Sequence, residues 1–425
     1  MNNQRLSNLL KTLGPGILFA STAIGVSHLV QSTRAGAQFG FALVPFVIAA
    51  NVFKYPFFEF GSRYANATGE SIIDGYKRLG KWMLWLYFLI TIGSMFFVSA
   101  AVGAVTSGFL QNLFGLTDFG MVVTIVLFLG CALILMLGKY GILDSLVKII
   151  GAVLLLSTLL AFILALAQGP TMKEVAPIEN VWSDATIPFI IALMGWMPTA
   201  VDLSAWNSLW TVERMRQTGY KPTLKETLLD FNFGYIVSAI LSVCFLTLGA
   251  YMLFGTGKEL PQGSGAFANN VVLMFTEFIG SWSYLIIAAA SFSIMFGTCI
   301  TVFDGYGRAL SRTWALLKDD KVGEEVKSSS SIYSWGIGVV VVGSFIIVYF
   351  LSKNLKDLVD IATTLSFIIA PLIAIVNYRL VTGKLVSEAY RPKLWLKILS
   401  WMGIVFLTGF AIYFLWLFIP KWFSF

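Results

Sequence analysis

Apolar segments about as long as a lipid bilayer is thick recur along the whole chain, with little sequence between them. One membrane-spanning helix takes about 20 mostly apolar residues, so a chain of 425 residues has room for about ten to twelve of them. Because only 12% of the residues are charged and 57% are hydrophobic, a soluble domain of this size could not keep its surface hydrated. The sequence therefore predicts an all-α polytopic membrane protein, with a single transmembrane domain over residues 1–425.

Hydropathy, together with the Gly, Pro and charged residues between the apolar segments, predicts eleven transmembrane helices. The polar residues before the first helix lack the features of a signal peptide, so we expect that helix to stay in the mature protein. A short amphipathic segment, residues 265–280, is expected to lie at the membrane interface. The predicted helices cover about residues 14–37, 39–62, 82–112, 119–139, 142–168, 186–211, 228–255, 282–307, 331–352, 355–379 and 396–419.

The basic residues are concentrated in alternate loops. If the N-terminus is inside, about 21 Lys and Arg residues fall in inside segments and about 6 in outside segments. We therefore expect the N-terminus inside, the C-terminus outside, and a location in the cytoplasmic (inner) membrane of a prokaryote. The net charge of +7 is spread over these short loops, so the expected partner is the lipid bilayer and not nucleic acid.

The first and sixth predicted helices contain residues that a lipid-facing helix disfavours. The first opens with Gly-Pro-Gly at residues 14–16 and has small and polar residues, with the only histidine, at residues 22–28. The sixth is interrupted by Met-Gly-Trp-Met-Pro-Thr at residues 194–199. Gly and Pro leave backbone groups that lipid cannot satisfy, so these places must face protein or a watery cavity. Two unrelated helix kinks are the alternative.

The two interruptions occupy matching positions. Pro15 precedes Gly25 by ten residues, and Pro188 precedes Pro198 by the same distance. Paired broken helices of this kind are typical of transporters built from inverted repeats, with the substrate between them near the middle of the membrane. The predicted units are residues 14–168 (helices 1–5), residues 186–379 (helices 6–10) and residues 396–419 (an accessory eleventh helix).

Seven residues at the interruptions are candidates for contact with a solute. His28 titrates near neutrality, so it is a candidate for proton coupling as well as for binding, although a buried histidine can also be purely structural. Asp202 is either a cavity-facing residue or a cap or ion-pair partner for the second half of its helix. The candidates are Gly25, Ser27, His28, Trp196, Met197, Thr199 and Asp202.

Other charged residues fall within or near the predicted spans. Lys54 and Glu59 are five residues apart, so they do not stack on one helix face. Asp230, Asp304 and Asp360 lie near predicted span ends. A charge in lipid is costly, so each of these side chains must have a partner, and we expect structural pairing for all five.

Three motifs resemble one family. Residues 14–16 (Gly-Pro-Gly), residues 35–40 (Ala-Gly-Ala-Gln-Phe-Gly) and residues 197–198 (Met-Pro), with eleven spans, resemble the Nramp family of proton-coupled divalent-metal transporters. The resemblance implies a leucine-transporter-like five-plus-five inverted repeat with helices 1 and 6 broken at mid-membrane. It also implies secondary-active transport by alternating access.

The sequence departs from this family at the metal site. In an ungapped alignment the family's Asp-Pro-Gly-Asn falls on residues 25–28, which read Gly-Val-Ser-His, so the aspartate is absent. Met197 and Pro198 match the family's Met-Pro-His, but Thr199 stands in place of the histidine. The acidic pair of the family's third helix is also missing, because residues 82–117 contain no Asp or Glu.

These departures bear on the substrate. A hard divalent cation needs anionic oxygen ligands, so the sequence favours a small polar organic or anionic solute. The alternative is transport of a divalent or soft transition metal, bound by His28 and Met197 and coupled to protons or another cation. A second alternative is a non-transporting sensor with the same fold. No cofactor is expected, and no grouping of nucleophile, base and orienting residue indicates an enzyme.

Overall fold

The computed structural model describes residues 11–137, 155–172, 181–258, 260–318, 322–323, 331–351 and 354–422. In these ranges the secondary structure is helical, without a β-strand. Seven of the described helices are long and apolar enough to span a membrane. Large apolar side chains on the outer faces of the bundle are exposed, as expected of a surface that contacts lipid.

The described helices are numbered in chain order. They are α1 Pro15–Ala23, a π-helical turn Ser27–Ser32, α2 Thr33–Phe39, α3 Val44–Thr68, α4 Ile72–Leu79, α5 Lys81–Phe114, α6 Gly120–Met136, α7 Leu155–Gln168, α8 Ile187–Gly195, α9 Leu203–Thr218, α10 Leu224–Leu253, α11 Ser264–Ile279, α12 Tyr284–Leu317, α13 Ser331–Leu351, α14 Leu355–Thr382 and α15 Leu394–Trp422.

The predicted spans are recovered as helices, with shifted ends. The first span is split into α1, the π-helical turn and α2, and the sixth into α8 and α9, so both predicted interruptions are present. The predicted eighth helix continues ten residues further, to Leu317. Residues 138–139 of the fourth span, residues 142–154 of the fifth and residue 352 of the ninth lie outside the described residues. How the helices divide into two repeats stays a prediction.

Two shorter helices lie beside the spans. α4 was not predicted, and it begins with a capping box in which Ser71 and Asp74 each accept the other's backbone N–H. α11 covers the segment predicted to be amphipathic, and its apolar side chains, including Phe267 and Phe275, are buried. α11 packs mainly on α5 and α12.

Packing encloses the two interrupted helices. α1 and α2 lie against α10, while α8 packs on α14 and α9 packs on α3. α12 covers α1 from another side and is itself packed along α5. The main chain between α1 and α2, and between α8 and α9, is therefore held inside the bundle and away from its lipid-facing surface.

The Gly-Pro-Gly sequence places the start of α1 against α10. Asp230 accepts hydrogen bonds from the backbone N–H groups of Gly14 (3.2 Å) and Gly16 (2.7 Å), which have no partner within the helix. A Cβ at Gly16 would collide with the Asp230 backbone carbonyl. Pro15 takes the first helical position, where its missing N–H costs nothing.

Candidate functional site

The first interruption is a short non-helical stretch between α1 and the π-helical turn. Ile24 leaves the helical conformation, with φ −80° and ψ 77°, and residues 24–26 connect the two elements. α12 approaches closely here, because a Cβ at Gly25 would lie 2.8 Å from both the methyl and the hydroxyl of Thr298. The Thr298 hydroxyl donates to the Ser21 carbonyl at 2.7 Å, which fixes α12 against the end of α1.

The second interruption is longer and runs from Trp196 to Asp202. The Met197–Pro198 peptide bond is cis, and α9 begins at Leu203. The Trp196 indole N–H donates to the Ser366 hydroxyl of α14 at 2.9 Å. This bond fixes one wall of the interruption.

Lys54 of α3 reaches this second interruption. Its Nζ donates to the carbonyl oxygens of Met194 (3.0 Å), Gly195 (2.9 Å) and Thr199 (2.7 Å). An ammonium group has three N–H donors, so all three are used, and the side chain is fully buried. A cation at the C-terminal end of α8 is also favoured by the helix dipole. Asp202 lies within electrostatic range of this amine.

A small cavity lies between the two interruptions. Four hydroxyl-bearing side chains line it, and the rest of its wall is apolar, without an acidic or basic side chain. The Thr199 hydroxyl has no hydrogen bond to another described residue, so it is available to a ligand. The lining residues are Thr22, Val26, Ser27, Val98, Val102, Trp196, Thr199, Ala200, Leu203, Thr298 and Val302.

His28 is fully buried and faces α10, away from this cavity. Its Nε2 lies 2.8 Å from the Ser238 carbonyl oxygen, and because a carbonyl only accepts, Nε2 carries the hydrogen. Its Nδ1 lies 2.7 Å from the Ser27 hydroxyl, and its ring meets Phe245 edge to face. His28 is thus not on the cavity wall but touches it through Ser27.

The other predicted residues are divided between the cavity wall and its surroundings. Ser27, Trp196 and Thr199 line the cavity. Met197 is buried with its sulfur 3.7 Å from the Ser32 hydroxyl. Asp202 is buried behind the wall, where its carboxylate accepts a hydrogen bond from Tyr306 at 3.3 Å.

The charged residues expected to be paired do have structural partners. Glu59 pairs with Arg63 one turn along α3, and Asp360 pairs with Arg34 of α2. Asp304 accepts hydrogen bonds from Arg308 and Tyr333. Asp230 accepts hydrogen bonds from the backbone N–H groups of Gly14 and Gly16.

Sequence reasoning missed Lys54, Thr22 and Thr298 as site residues. The signal for Lys54 was present, because a lysine at this depth of an apolar segment is costly unless it serves a site. Its target could not be read from spacing, since the carbonyls that it contacts lie 140 to 145 residues further along the chain. Among the described residues, no group of three or more His, Cys, Asp and Glu side chains could hold a metal ion.

Comparison with known proteins identifies a family and several relatives. Residues 16–417 match the family described as natural resistance-associated macrophage protein-like, or Nramp. An uncharacterized protein of Pasteurella multocida is 35% identical over 407 residues, which cover 95% of this chain and 91% of that protein. A divalent metal cation transporter, MntH, of Levilactobacillus brevis is 23% identical over 421 residues, covering 94% of this chain and 86% of that protein.

Solved structures share the fold. A mutant of the manganese transporter of Eremococcus coleocola matches with a TM-score of 0.72 at 13% identity, over 100% of this chain and 90% of that chain. MhsT, solved in complex with L-phenylalanine, matches with a TM-score of 0.57 at 12% identity. The match covers 93% of this chain and 98% of that chain. At these identities the likeness shows the fold alone, which is the leucine-transporter-like fold predicted from the sequence.

Proposed function

Since this chain belongs to the Nramp family of membrane transporters, we propose that it carries a small polar organic or anionic solute through the cavity between its two interrupted helices. Family membership confirms the resemblance seen in the sequence, and it identifies an integral multi-pass transporter and not an enzyme. Alternating access means that the interrupted helices rearrange around a central site, which opens to one side of the membrane at a time.

The composition of the cavity wall is the observation that carries the proposal. Hydroxyl groups line it, and no carboxylate does. A hard divalent cation that enters such a cavity would lose its water without gaining anionic oxygens. The Lys54 ammonium next to the interruption adds positive charge, which repels a cation and attracts an anionic group.

Each candidate residue has a role in this proposal. Ser27 and Thr199 form hydrogen bonds with polar groups of the solute, and Trp196 packs on its apolar part. Gly25 leaves room for α12 beside the cavity. Asp202 acts from behind the wall through its hydrogen bond with Tyr306 of α12. Met197, turned toward Ser32, packs the main chain of the interruption.

His28 couples transport to protons through Ser27. With a neutral ring, Nδ1 accepts the hydrogen of the Ser27 hydroxyl, which is 2.7 Å away. With a protonated ring, Nδ1 donates instead, and the Ser27 hydroxyl turns its hydrogen to the Ala23 carbonyl, which is 2.6 Å away. Because Ser27 lies on the cavity wall, the protonation state of His28 changes the hydrogen-bonding character of the wall.

Metal transport is the second candidate function. It is favoured by the relatives, since the Levilactobacillus brevis protein is a divalent metal cation transporter and the Eremococcus coleocola protein a manganese transporter. In this chain a metal would use the Met197 thioether and His28, ligands that suit a soft or late transition ion. Such binding requires both side chains to turn, because each now contacts a different part of the bundle.

A thermal-shift screen of the purified protein tests the two functions. The screen compares manganese and other divalent metals with small carboxylates, amino acids and bicarbonate, followed by uptake of any hit into proteoliposomes. Thr199→Val should lower the affinity for the hit about tenfold, the effect of one lost hydrogen bond of about 1.4 kcal/mol. Thr408→Val is the matched control, because its hydroxyl also has no partner but lies on α15.

The outcomes separate the hypotheses. Stabilisation by micromolar manganese, abolished in His28→Ala, would reject the solute proposal in favour of metal transport. Binding of a solute without uptake or exchange would indicate a sensor. The proposed topology has the N-terminus in the cytoplasm of a prokaryote and the C-terminus outside. It is tested by placing single cysteines in the loops and labelling them from each side of the membrane in inside-out vesicles.

A further inference from the structure

Backbone carbonyls at the second interruption converge on one point. Met194 and Gly195 are the last residues of α8, and their carbonyls have lost the partners that a continuing helix would provide. The Thr199 carbonyl, from the middle of the interruption, turns toward the same point. The Lys54 Nζ lies 2.7–3.0 Å from all three oxygens. Carbonyls arranged in this way at the end of a half-helix are a cation site of the membrane-transporter type.

We infer that the three carbonyls form an internal site for a monovalent cation, and that the tethered ammonium of Lys54 fills it in place of a free ion. Three acceptors at hydrogen-bonding distance match the three N–H donors of an ammonium group. The side chain is fully buried, and none of the three donors is left for another group.

Other described helices of this protein end without a lysine bound to their last carbonyls. α3, α5 and α9 end at glycines in the left-handed conformation, namely Gly69, Gly115 and Gly219. Such an end satisfies the last carbonyls locally and needs no distant charge. α8 instead receives a lysine from another helix, at a place that borders the central cavity through Thr199.

Lys54 consequently determines the charge of the solute that the site accepts. Its fixed positive charge takes the position of a coupling or transported cation and stays there throughout the cycle. This inference rests on the proposed function, since both place the solute beside the second interruption. It goes further by identifying three main-chain carbonyls as a cation position, which Lys54 fills from outside the two interrupted helices.

Chemical rescue of Lys54→Ala tests the inference. Propylammonium restores the lost atoms of the side chain without the tether, and sodium offers a smaller cation. We expect a lower Tm for Lys54→Ala and a saturable rise of a few degrees with either cation, relative to N-methylglucamine at equal ionic strength. Propan-1-ol, which lacks the charge, should not restore the Tm. Wild type and Lys393→Ala, which removes an exposed lysine, should not respond to either cation.

Lys54→Met provides a second variant. The methionine fills the space of the lysine without its charge, so this protein should be destabilised and should not be rescued by propylammonium or sodium. A folded Lys54→Ala protein whose Tm ignores propylammonium, sodium and potassium would overturn the inference. Equal rescue of Lys54→Met would also overturn it.

Wild-type protein provides a test that does not depend on the folding of any variant. Its Tm should stay unchanged when sodium and potassium are replaced by N-methylglucamine in the presence of a chelator, because the cation is covalently attached. A drop in Tm would show that a free ion is needed and would reject the inference. Rescue of Lys54→Ala, together with no response of wild type to carboxylates, amino acids or bicarbonate, would support the cation site while rejecting the proposed substrate.

Discussion

Arg34 and Asp360 join α2 to α14 through a two-point ion pair. Nη1 of Arg34 donates to Oδ1 of Asp360 at 2.7 Å, and Nη2 donates to Oδ2 at 2.9 Å. Gln31, in the π-helical turn, contacts both partners at 2.9 Å. The segment that follows the first interruption is therefore tied to α14, the helix that also contacts Trp196 through Ser366.

Loss of this ion pair should lower the free energy of unfolding more than loss of a surface ion pair. Arg34 is buried, so Asp360→Asn leaves its charge only partly compensated, and we expect a loss of about 1–2 kcal/mol because Asp360 itself is partly exposed. Unfolding in detergent measures the loss. Glu388→Gln is the control, since the carboxylate of Glu388 is 91% exposed and its pair with Arg391 should contribute almost nothing. Equal effects of the two substitutions would contradict the prediction.

Gly25→Ala should impair transport through crowding at α12. The new methyl group would lie 2.8 Å from the Thr298 side chain, so α12 or the first interruption must shift, at a cost of about 1–3 kcal/mol. Thr298 lines the cavity, and we therefore expect weaker solute binding as well as a lower Tm. Gly93→Ala is the matched control, because a methyl group there meets open space, and it should be neutral or slightly stabilising. If Gly25→Ala binds the solute as tightly as wild type does, the contact between residue 25 and Thr298 has no role in the site.

Asp230→Ala should destabilise the start of α1. The carboxylate holds the N–H groups of Gly14 and Gly16 at a helix N-terminus, an interaction worth about 1–2 kcal/mol. Hydrogen exchange followed by mass spectrometry should show faster exchange in α1, with α13 unaffected. Asp118→Ala, at an exposed position before α6, provides a control for the loss of one negative charge. Unchanged exchange in α1 would mean that Pro15 alone defines the start of the helix.

The sequence was sufficient for features that arise from local chemistry. Gly and Pro at residues 14–16, 25 and 198 mark where helices begin and break, because their effects on the backbone act within one turn. Apolar length predicted the spans for the same reason. The extra ten residues at the end of α12, up to Leu317, could not be foreseen, since they depend on neighbouring helices that bury them.

The candidate site was less predictable, because it depends on contacts between distant residues. Nothing in the local sequence directs Lys54 to the second interruption or turns His28 toward Ser238. Thr298 reaches the first interruption from a helix more than 270 residues away in the chain. Only packing of the complete bundle brings these side chains together, whereas residues within the interruptions could be identified from their own neighbourhood.

The contacts of His28 predict that its replacement affects proton coupling more than solute binding. The ring lies between Ser27 and Ser238 and away from the cavity, and the described partners of the ring, including Phe245, carry no charge. His28→Gln removes the titrating group, and we expect it to lower stability by about 1–3 kcal/mol because buried polar groups lose partners. Solute affinity should fall less than in Thr199→Val, since Thr199 lies on the wall itself.

The coupling part of the prediction is measured with a proton gradient. Proteoliposomes with an acidic exterior should accumulate the solute from the thermal-shift screen in wild type, because protonation of His28 reorients the Ser27 hydroxyl at the cavity wall. His28→Gln should still exchange the solute across the membrane but no longer concentrate it. Ser238→Ala is the control, because it keeps the backbone carbonyl that accepts from Nε2 and should retain accumulation. If His28→Gln concentrates the solute as wild type does, another group binds the coupled proton. His28 then serves only to hold Ser27 and α10 in place.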